Sequence, residues 1–394
     1  MSVERVVVVG GGLAGLRVIE SLRSRRYAGE VTLVGAERHA PYDRPPLSKH
    51  LLAGGVDDTT LDADFATLGV RLRLGEIAVR VAADDDAVLT DRGAHRFDRL
   101  VLATGSVPIG LPGGGPQRFL RTIDDAHALR SLMRPGLRLV IVGAGWIGAE
   151  LATAAAARGC VTTVLEAGAA PLAAAIGAAV GAQTSRWYAE CGVGLRLGAA
   201  VAAITDAGVL LADGEHIPAD EVVTAIGVRP AVAWLDGSGI KLDNGVAVDE
   251  GLRASRPGVF AVGDCAAFWS RRYRRRLRVE HWDNALHSPD VAGANLLGGV
   301  EVYNPVPYFW SEQFGRMMQY IGHHNAADSL VWRGDPAQQT WSACWMAEDR
   351  LVALLAVGRR RDISQGRGVI ASGARLDPVR LAEVDIPVRD VVTG

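Results

Sequence analysis

The chain has 394 residues, of which 49% are hydrophobic, and its formal net charge is −2. This length suits two or three domains, the apolar share is enough to bury parallel sheets, and the near-neutral charge gives no general attraction to nucleic acid or membranes. No apolar run reaches transmembrane length, and the first predicted strand follows the amino terminus too closely for a signal peptide. We therefore expect a soluble cytoplasmic protein.

A glycine-rich turn follows the first predicted strand, Val6–Val9, which is typical of a strand buried on both faces of a parallel sheet. Apolar residues at helical spacing come after the turn, so a helix N-terminus would direct its backbone N–H groups at a pyrophosphate. Glu37, just past the next predicted strand, can accept hydrogen bonds from the ribose hydroxyls of an adenosine. The turn residues that we predict to bind the phosphates are Gly10, Gly12, Leu13, Ala14 and Gly15.

The same features occur a second time, after the predicted strand Leu139–Val142 and with Glu166 as the acid. One such turn would be a weak signal, but two, each in its strand and helix context, indicate a chain that binds two dinucleotides. The corresponding turn residues are Gly143, Gly145, Trp146, Ile147 and Gly148.

Each half closes with an apolar strand that ends in glycine, Leu100–Gly105 in the first and Val222–Gly227 in the second. Side chains there would crowd a nucleotide, so we predict that these strand ends face one. The residues concerned are Ala103, Thr104, Gly105, Ile226 and Gly227.

A third predicted strand, Val259–Val262, breaks the symmetry, because Gly263 and Asp264 follow it at once. An aspartate there can hydrogen-bond the ribityl hydroxyls of a flavin, a group that NAD lacks, although Gly-Asp after a strand is by itself often a turn.

Three further segments carry a family resemblance: Pro41–Lys49, Val279–Ala285 and Tyr308–Gln313. With them the chain resembles, over nearly its whole length, the FAD-dependent NADH:ferredoxin reductases of Rieske dioxygenase and cytochrome P450 systems, in the pyridine nucleotide-disulfide oxidoreductase superfamily. The resemblance implies a glutathione-reductase-like α/β fold, with two Rossmann-type dinucleotide-binding domains and a smaller α+β C-terminal domain. The predicted domains are an FAD domain (1–112 and 243–307), an NAD domain (113–242) and a C-terminal domain (308–394) with antiparallel strands near 329–333, 340–346 and 351–357.

The resemblance also assigns FAD to the first turn and NADH to the second. It implies that Arg44, Pro45 and Lys49 line the flavin, with Lys49 near its N5 edge and paired with Glu150 as the catalytic pair. A fixed ammonium would favour the negative charge that builds up as flavin accepts hydride. The residues alone leave an alternative open, in which Lys49 is a solvated lysine and Glu150 is a first-turn helix acid.

A helix is predicted from Trp282 to about Leu297, and the resemblance places its N-terminus, with His281, toward the flavin. Trp282, Phe309 and Trp310 are then expected as walls of the flavin pocket, although each aromatic could instead belong to the core. Glu166 predicts NADH rather than NADPH, because a carboxylate repels a 2′-phosphate and the residues 167–170 offer no arginine or lysine to hold one.

The four cysteines, Cys160, Cys191, Cys265 and Cys344, are too far apart in the sequence to form the close redox pair of a disulfide reductase. We expect all four to be buried structural thiols, with electrons passing directly from flavin to an outside acceptor. No metal site is predicted, since the adjacent His323 and His324 have no other ligand nearby.

Six arginines crowd the segment Arg271–Arg278. We weigh three interpretations: a docking surface for an acidic ferredoxin, a solvated hairpin without specific function, and a nucleic-acid patch.

The predicted reaction is hydride transfer from NADH to FAD, followed by single-electron transfer to a [2Fe–2S] ferredoxin that feeds an oxygenase, either a cytochrome P450 or a Rieske enzyme. The alternatives are another acceptor (rubredoxin, monodehydroascorbate or oxygen) or a slow-turnover, flavin-bound redox-sensing protein. The identity of the acceptor distinguishes them.

Overall fold

The computed structural model describes residues 3–82 and 85–393, which form two compact units. Unit 1 comprises the chain up to Asp43, Thr59–Val107 and Arg229–Pro307, and unit 2 comprises Arg44–Asp58, Pro108–Val228 and the chain from Tyr308 onward. The short strands Ser106–Pro108 and Val228–Pro230 lie where the chain passes between the units. The domain boundaries taken from the sequence stay predictions.

Unit 1 is built on a five-stranded parallel sheet whose central strands consist of buried β-branched and leucine residues, such as Val8 and Val101. Its strands, in spatial order, are Val259–Ala261, Arg99–Leu102, Arg5–Val9, Glu30–Gly35 and Val70–Leu74. The α-helices Leu13–Ser24 and Trp282–Leu296 pack against each other. Two small sheets complete unit 1: Ala78–Val81, Ala87–Thr90 and Gly93–Arg96; and Val246–Val248, Ala266–Ser270 and Arg275–Arg278.

Unit 2 repeats the plan with a four-stranded parallel sheet and the helix Trp146–Ala157. Its strands, in spatial order, are Gly194–Leu197, Val161–Glu166, Arg138–Val142 and Glu221–Thr224, and a small antiparallel sheet is formed by Val201–Thr205, Gly208–Leu211 and His216–Pro218. The other helices before residue 308 are His50–Ala53, Ile123–Leu132, Ala173–Ile176, Ala178–Gly181 and Ser185–Glu190. The predicted repeat of one nucleotide-binding plan is thus present in the structure.

The C-terminal part of unit 2 is a larger antiparallel sheet with one face covered by the helix Arg360–Ser372. Its main strands, in spatial order, are Tyr308–Gln313, Arg316–Gly322, Arg350–Val357, Trp341–Ala347 and Ser329–Arg333. The three strands predicted from alternating residues are confirmed within one residue at each end. The helix Pro378–Ala382 and the short strands Arg375–Leu376 and Val392–Thr393 follow.

The predicted α/β class with parallel sheets is confirmed. Across the part of the chain that the structure describes, no helix is long and apolar enough to cross a bilayer.

Candidate functional site

The first glycine turn of unit 1 provides an anion site made of backbone. Gly12 precedes the helix Leu13–Ser24, which has neither a side-chain cap nor an acidic residue in its first turn, so its first N–H groups stay available to a ligand. Gly10 has φ +124°, and a Cβ on it would lie 2.1 Å from the carbonyl oxygen of Ala103. By contrast, a Cβ on Gly12 would meet no atom within 4 Å. The turn is thus closely packed at Gly10 and open at Gly12, which leaves room for a pyrophosphate at the helix N-terminus.

Two more predicted FAD segments of unit 1, 103–105 and 263–264, follow the two parallel strands on one side of the strand that ends in the first turn. Nucleotides bind at such carboxyl ends of strands. Asp264 lies on the short 3-10 turn Gly263–Cys265 and accepts a hydrogen bond from Ser106 Oγ at 3.0 Å. A Cβ on Gly263 would lie 3.1 Å from that of Ala14, so this turn is packed against the start of the helix. Thr104 and Gly105 follow the neighbouring strand, and Thr104 donates to the carbonyl of Ala231 at 2.9 Å.

Two contacts anchor the segment before Arg44. The hydroxyl of the buried Tyr42 donates to Glu37 Oε2 at 2.5 Å, which orients the carboxylate predicted to bind ribose. Trp282 Nε1 donates to Asp43 Oδ1 at 2.7 Å. Tyr42 and Asp43 had no predicted role, although both lie in a segment that carried the resemblance.

The predicted helix after His281 is confirmed as Trp282–Leu296, with His281 as its N-cap residue. Its first turn carries the buried carboxylate of Asp283. That charge offsets part of the positive end of the helix dipole, so the helix has less capacity to stabilise an anion than a first turn without an acid.

The second turn, in unit 2, has the same geometry as the first. Gly145 precedes the helix Trp146–Ala157, again without a side-chain cap or a first-turn acid, and a Cβ on it would meet no atom within 4 Å. A Cβ on Gly148 would lie 2.0 Å from the carbonyl oxygen of Gly143, just as one on Gly15 would meet that of Gly10. Ile147 and Ile226 expose about two fifths of their surface, 41% and 39%. This turn therefore also fits a pyrophosphate.

Glu166 ends its strand beside this turn and is held by backbone donors. The N–H of Ala144 donates to Oε2 at 2.8 Å, and the N–H of Gly168 donates to Oε1 at 2.7 Å. The carboxylate is thus fixed at the strand end, where the ribose of a dinucleotide lies in this type of sheet.

Lys49 and Glu150 form a buried ion pair within unit 2. Lys49 Nζ lies 2.8 Å from Glu150 Oε2, and their side chains are 11% and 2% exposed. Glu150 is the fifth residue of its helix, and the first turn contains no acid. The alternative of a solvated lysine and a first-turn acid is therefore wrong.

The segment before Lys49 is a 3-10 turn, Pro45–Ser48, which begins with proline as expected of a stiff loop. Arg44 Nη1 donates to the carbonyl of Arg121 at 2.5 Å. Whether Arg44, Pro45 and Lys49 contact flavin stays a prediction.

Sequence reasoning missed two serines at the ion pair, Ser48 and Ser311, which both donate to Glu150. Both lie in segments that carried the resemblance, but their approach to Glu150 is a long-range contact that local patterns do not reveal.

The aromatic residues expected around flavin have identifiable neighbours in unit 2. The Phe309 ring lies 4.8 Å from that of Trp146, which begins the helix after the second turn. Trp310 stacks on Tyr308 at 5.9 Å. The roles of Phe309 and Trp310 in binding flavin stay predictions.

The expectation that all four cysteines are buried is wrong for one of them, Cys191. Cys160, Cys265 and Cys344 are buried, and burial raises the pKa of each thiol, to about 12 for Cys344. Cys191 is exposed, because it caps the short helix Ser185–Glu190 at the surface. Within residues 3–82 and 85–393 no group of three or more acidic, histidine or cysteine side chains could hold a metal ion.

The arginine-rich segment is a hairpin of the strands Ala266–Ser270 and Arg275–Arg278. Carboxylates pair with at least three of its six arginines: Glu250 with Arg271, Asp243 with Arg276, and Glu280 with Arg278. Arg271, Arg274 and Arg275 are exposed. The segment thus forms a hairpin whose surface charge is smaller than six arginines suggest. The three interpretations of its function stay predictions.

The family model described as "Pyridine nucleotide-disulphide oxidoreductase" matches residues 4–288, and "Reductase C-terminal" matches residues 308–392. The chain is 36% identical, over 99% of both sequences, to the anthranilate 1,2-dioxygenase system ferredoxin--NAD(+) reductase component of Burkholderia cepacia. It is 33% identical to putidaredoxin reductase of Pseudomonas putida, over 99% of this chain and 97% of that one.

Among solved structures, Fdr9 is 50% identical with a TM-score of 0.95, covering 99% of this chain and 100% of that one. The chain of the covalent putidaredoxin reductase–putidaredoxin complex is 32% identical with a TM-score of 0.94, and 98% of each chain is covered.

Proposed function

We propose, since the chain belongs to the pyridine nucleotide-disulphide oxidoreductase family, that it is an FAD-dependent NADH:ferredoxin reductase of an oxygenase system. The observation that supports this best is the duplicated turn: two uncapped helix N-termini, each with open space before its glycine, in a chain with no closely spaced cysteine pair. Bound FAD would supply the redox chemistry, accepting a hydride from NADH and releasing electrons singly.

The residues of the chain bind and orient these groups. In unit 1 the first turn, Glu37 and Asp264 would hold FAD. In unit 2 the second turn and Glu166 would hold NADH, and the Lys49 ammonium would stabilise negative charge on the flavin. A cytoplasmic location belongs to the same proposal, because four unpaired cysteines suit a reducing compartment. Recovery of the native protein outside the cytoplasm would contradict it.

The first test is NADH-driven cytochrome c reduction by the purified FAD-loaded protein, with and without a bacterial [2Fe–2S] ferredoxin. We expect ferredoxin to stimulate the rate at least about tenfold, because direct electron transfer to cytochrome c lacks a complementary docking surface. Rapid bleaching of the flavin by NADH without stimulation by any of several ferredoxins would contradict the choice of acceptor and favour rubredoxin, monodehydroascorbate or oxygen. Tight NADH binding with slow turnover toward every acceptor would favour the redox-sensing alternative.

The same assay tests where ferredoxin docks. We propose that ferredoxin docks at the tip of the arginine hairpin, because the positive charge exposed there would attract an acidic partner. Reversing Arg274 and Arg275 to glutamate is expected to raise the KM for ferredoxin about tenfold without changing flavin bleaching by NADH. The matched control reverses two exposed arginines of another small sheet of unit 1, Arg80 on a strand and Arg92 in a turn between strands. If the two double reversals raised the KM for ferredoxin equally, or if neither raised it, ferredoxin would dock elsewhere.

The choice between NADH and NADPH gives a third prediction. The fixed carboxylate of Glu166 is expected to make NADPH bind about 100-fold more weakly than NADH, because placing like charges together costs several kcal/mol. Glu166→Gln should reduce the ratio of the NADPH to the NADH dissociation constant about tenfold. Glu215→Gln, at an exposed ion pair of the same unit, should not change this ratio. The measurement is the dissociation constant of each nucleotide by fluorescence quenching. Tighter binding of NADPH to the unaltered protein would overturn the prediction.

A further inference from the structure

The carboxylate of Glu150 is enclosed by three donors. Lys49 Nζ donates to Oε2 at 2.8 Å, Ser48 Oγ donates to the same oxygen, and Ser311 Oγ donates to Oε1 at 2.5 Å. Glu150, Ser48 and Ser311 are at most 4% exposed. A buried carboxylate is unfavourable unless it is paired and hydrogen-bonded, and bonds to an ionised group are among the strongest in proteins.

The two oxygens of Glu150 have different partners. Among the described residues, Oε1 receives its hydrogen bond from Ser311, whereas Oε2 faces Lys49 and Ser48. Because a carboxylate is planar, holding Oε1 also sets the direction of Oε2. The hydrogen bond from Ser311 therefore restricts how the Glu150 carboxylate can turn relative to the ammonium.

Ser311 is itself held in one orientation. Its single hydroxyl proton goes to Glu150, so toward Gln313 it can act only as an acceptor. Gln313 Nε2 donates to Ser311 Oγ at 3.0 Å, and Gln313 is fully buried. The two residues stand two apart on the strand Tyr308–Gln313, which places their side chains on one face of the sheet.

We propose that Ser311, supported by Gln313, is a positioning residue that fixes the carboxylate of Glu150 and through it the ammonium of Lys49. The proposal rests on the proposed function, in which Lys49 lines the flavin. An ammonium held in one place stabilises negative charge that develops next to it better than an ammonium that moves. The C-terminal sheet thus contributes to the chemistry of unit 2 through a chain of hydrogen bonds.

The test compares Ser311→Ala with Ser342→Ala in the FAD-loaded protein. Ser342 is a matched control, because it is also fully buried in the C-terminal sheet and donates to a buried carboxylate, that of Asp362, at 2.9 Å. Two quantities are measured: the limiting rate and NADH dissociation constant of flavin bleaching by stopped flow, and the rate at which an acylating reagent labels Lys49, by mass spectrometry.

Ser311→Ala is expected to lower the limiting rate about three- to tenfold with an unchanged NADH dissociation constant, and to speed Lys49 labelling by a similar factor. Gln313→Leu, of similar volume, should act in the same direction with a smaller effect, which keeps the test open if Ser311→Ala folds poorly. Ser342→Ala should leave both quantities unchanged.

Unchanged labelling and bleaching in Ser311→Ala and Gln313→Leu would overturn the proposal, as would equal changes in Ser342→Ala, which would indicate general loosening. Neither readout uses ferredoxin, so failure of the positioning role is distinguishable from failure of the proposed acceptor.

Discussion

Replacing Gly12 by alanine is expected to leave the fold of unit 1 intact and to weaken FAD binding about 100-fold or more. Gly12 has φ −98°, which alanine adopts without strain, and its Cβ would meet no protein atom within 4 Å. The added methyl group would therefore occupy the space proposed for the pyrophosphate, in front of the N–H groups of the helix Leu13–Ser24. The measurement is the FAD dissociation constant of the apoprotein, beside its thermal unfolding.

Gly145→Ala is the matched variant in unit 2. Gly145 has φ −76° and the same open space, so its replacement should preserve the fold and FAD content but weaken NADH binding by a similar factor. Gly10→Ala is the contrasting control, because its Cβ would meet the Ala103 carbonyl at 2.1 Å and destabilise the protein itself. Loss of NADH binding in Gly12→Ala and of FAD binding in Gly145→Ala would show that the first turn binds NADH and the second FAD. Unaltered binding in both variants would contradict both assignments.

The turns could be predicted from sequence because their determinants are local. A buried strand, a glycine turn and a helix follow one another within a few residues, so Gly12 and Gly145 were identifiable without knowledge of the fold. The same holds for the strand Ser329–Arg333, whose alternation gave both of its ends.

Contacts between distant residues could not be predicted in this way. Lys49 and Glu150 are 101 positions apart, and only the resemblance suggested that they pair. Ser311 and Glu150 are 161 positions apart, and nothing in the spacing or composition around either residue indicates their hydrogen bond. Such contacts arise from the way whole elements pack.

Charge and burial were misjudged for a related reason. The sequence counts the arginines of Arg271–Arg278 but does not show that Glu250 and Asp243, well upstream, neutralise two of them. Likewise, nothing local distinguishes the exposed Cys191 from the buried Cys160, because exposure depends on what packs over each residue.

Arg333→Met is expected to lower the free energy of unfolding by about 3–5 kcal/mol, the effect of removing one partner from a buried ion pair. Arg333 is fully buried, and its guanidinium lies 3.3 Å from Asp362 and donates to the carbonyls of Glu383 and Ile386, each at 3.0 Å. These bonds fasten the C-terminal segment to the sheet. Arg375→Met, at an exposed ion pair with Asp349, should cost less than about 1 kcal/mol.

The dependence of stability on pH at low pH can separate the contribution of the Arg333 charge from that of its packing. Burial alone would raise the pKa of Asp362, but the hydrogen bond from Arg359, the charge of Arg333 and the hydrogen bond from Ser342 outweigh it, and the pKa is lowered from its usual 3.8. A carboxyl group with a lowered pKa stabilises the fold above that usual value, and the contribution is lost as the pH falls through the folded-state pKa.

In Arg333→Met the pKa of Asp362 should rise toward its usual value, so this variant should lose less stability than the unaltered protein between about pH 5 and pH 3. Urea unfolding followed by tryptophan fluorescence at both ends of that range measures the difference. Parallel pH dependence in the two proteins would show that Arg333 acts through packing and its carbonyl hydrogen bonds rather than through its charge.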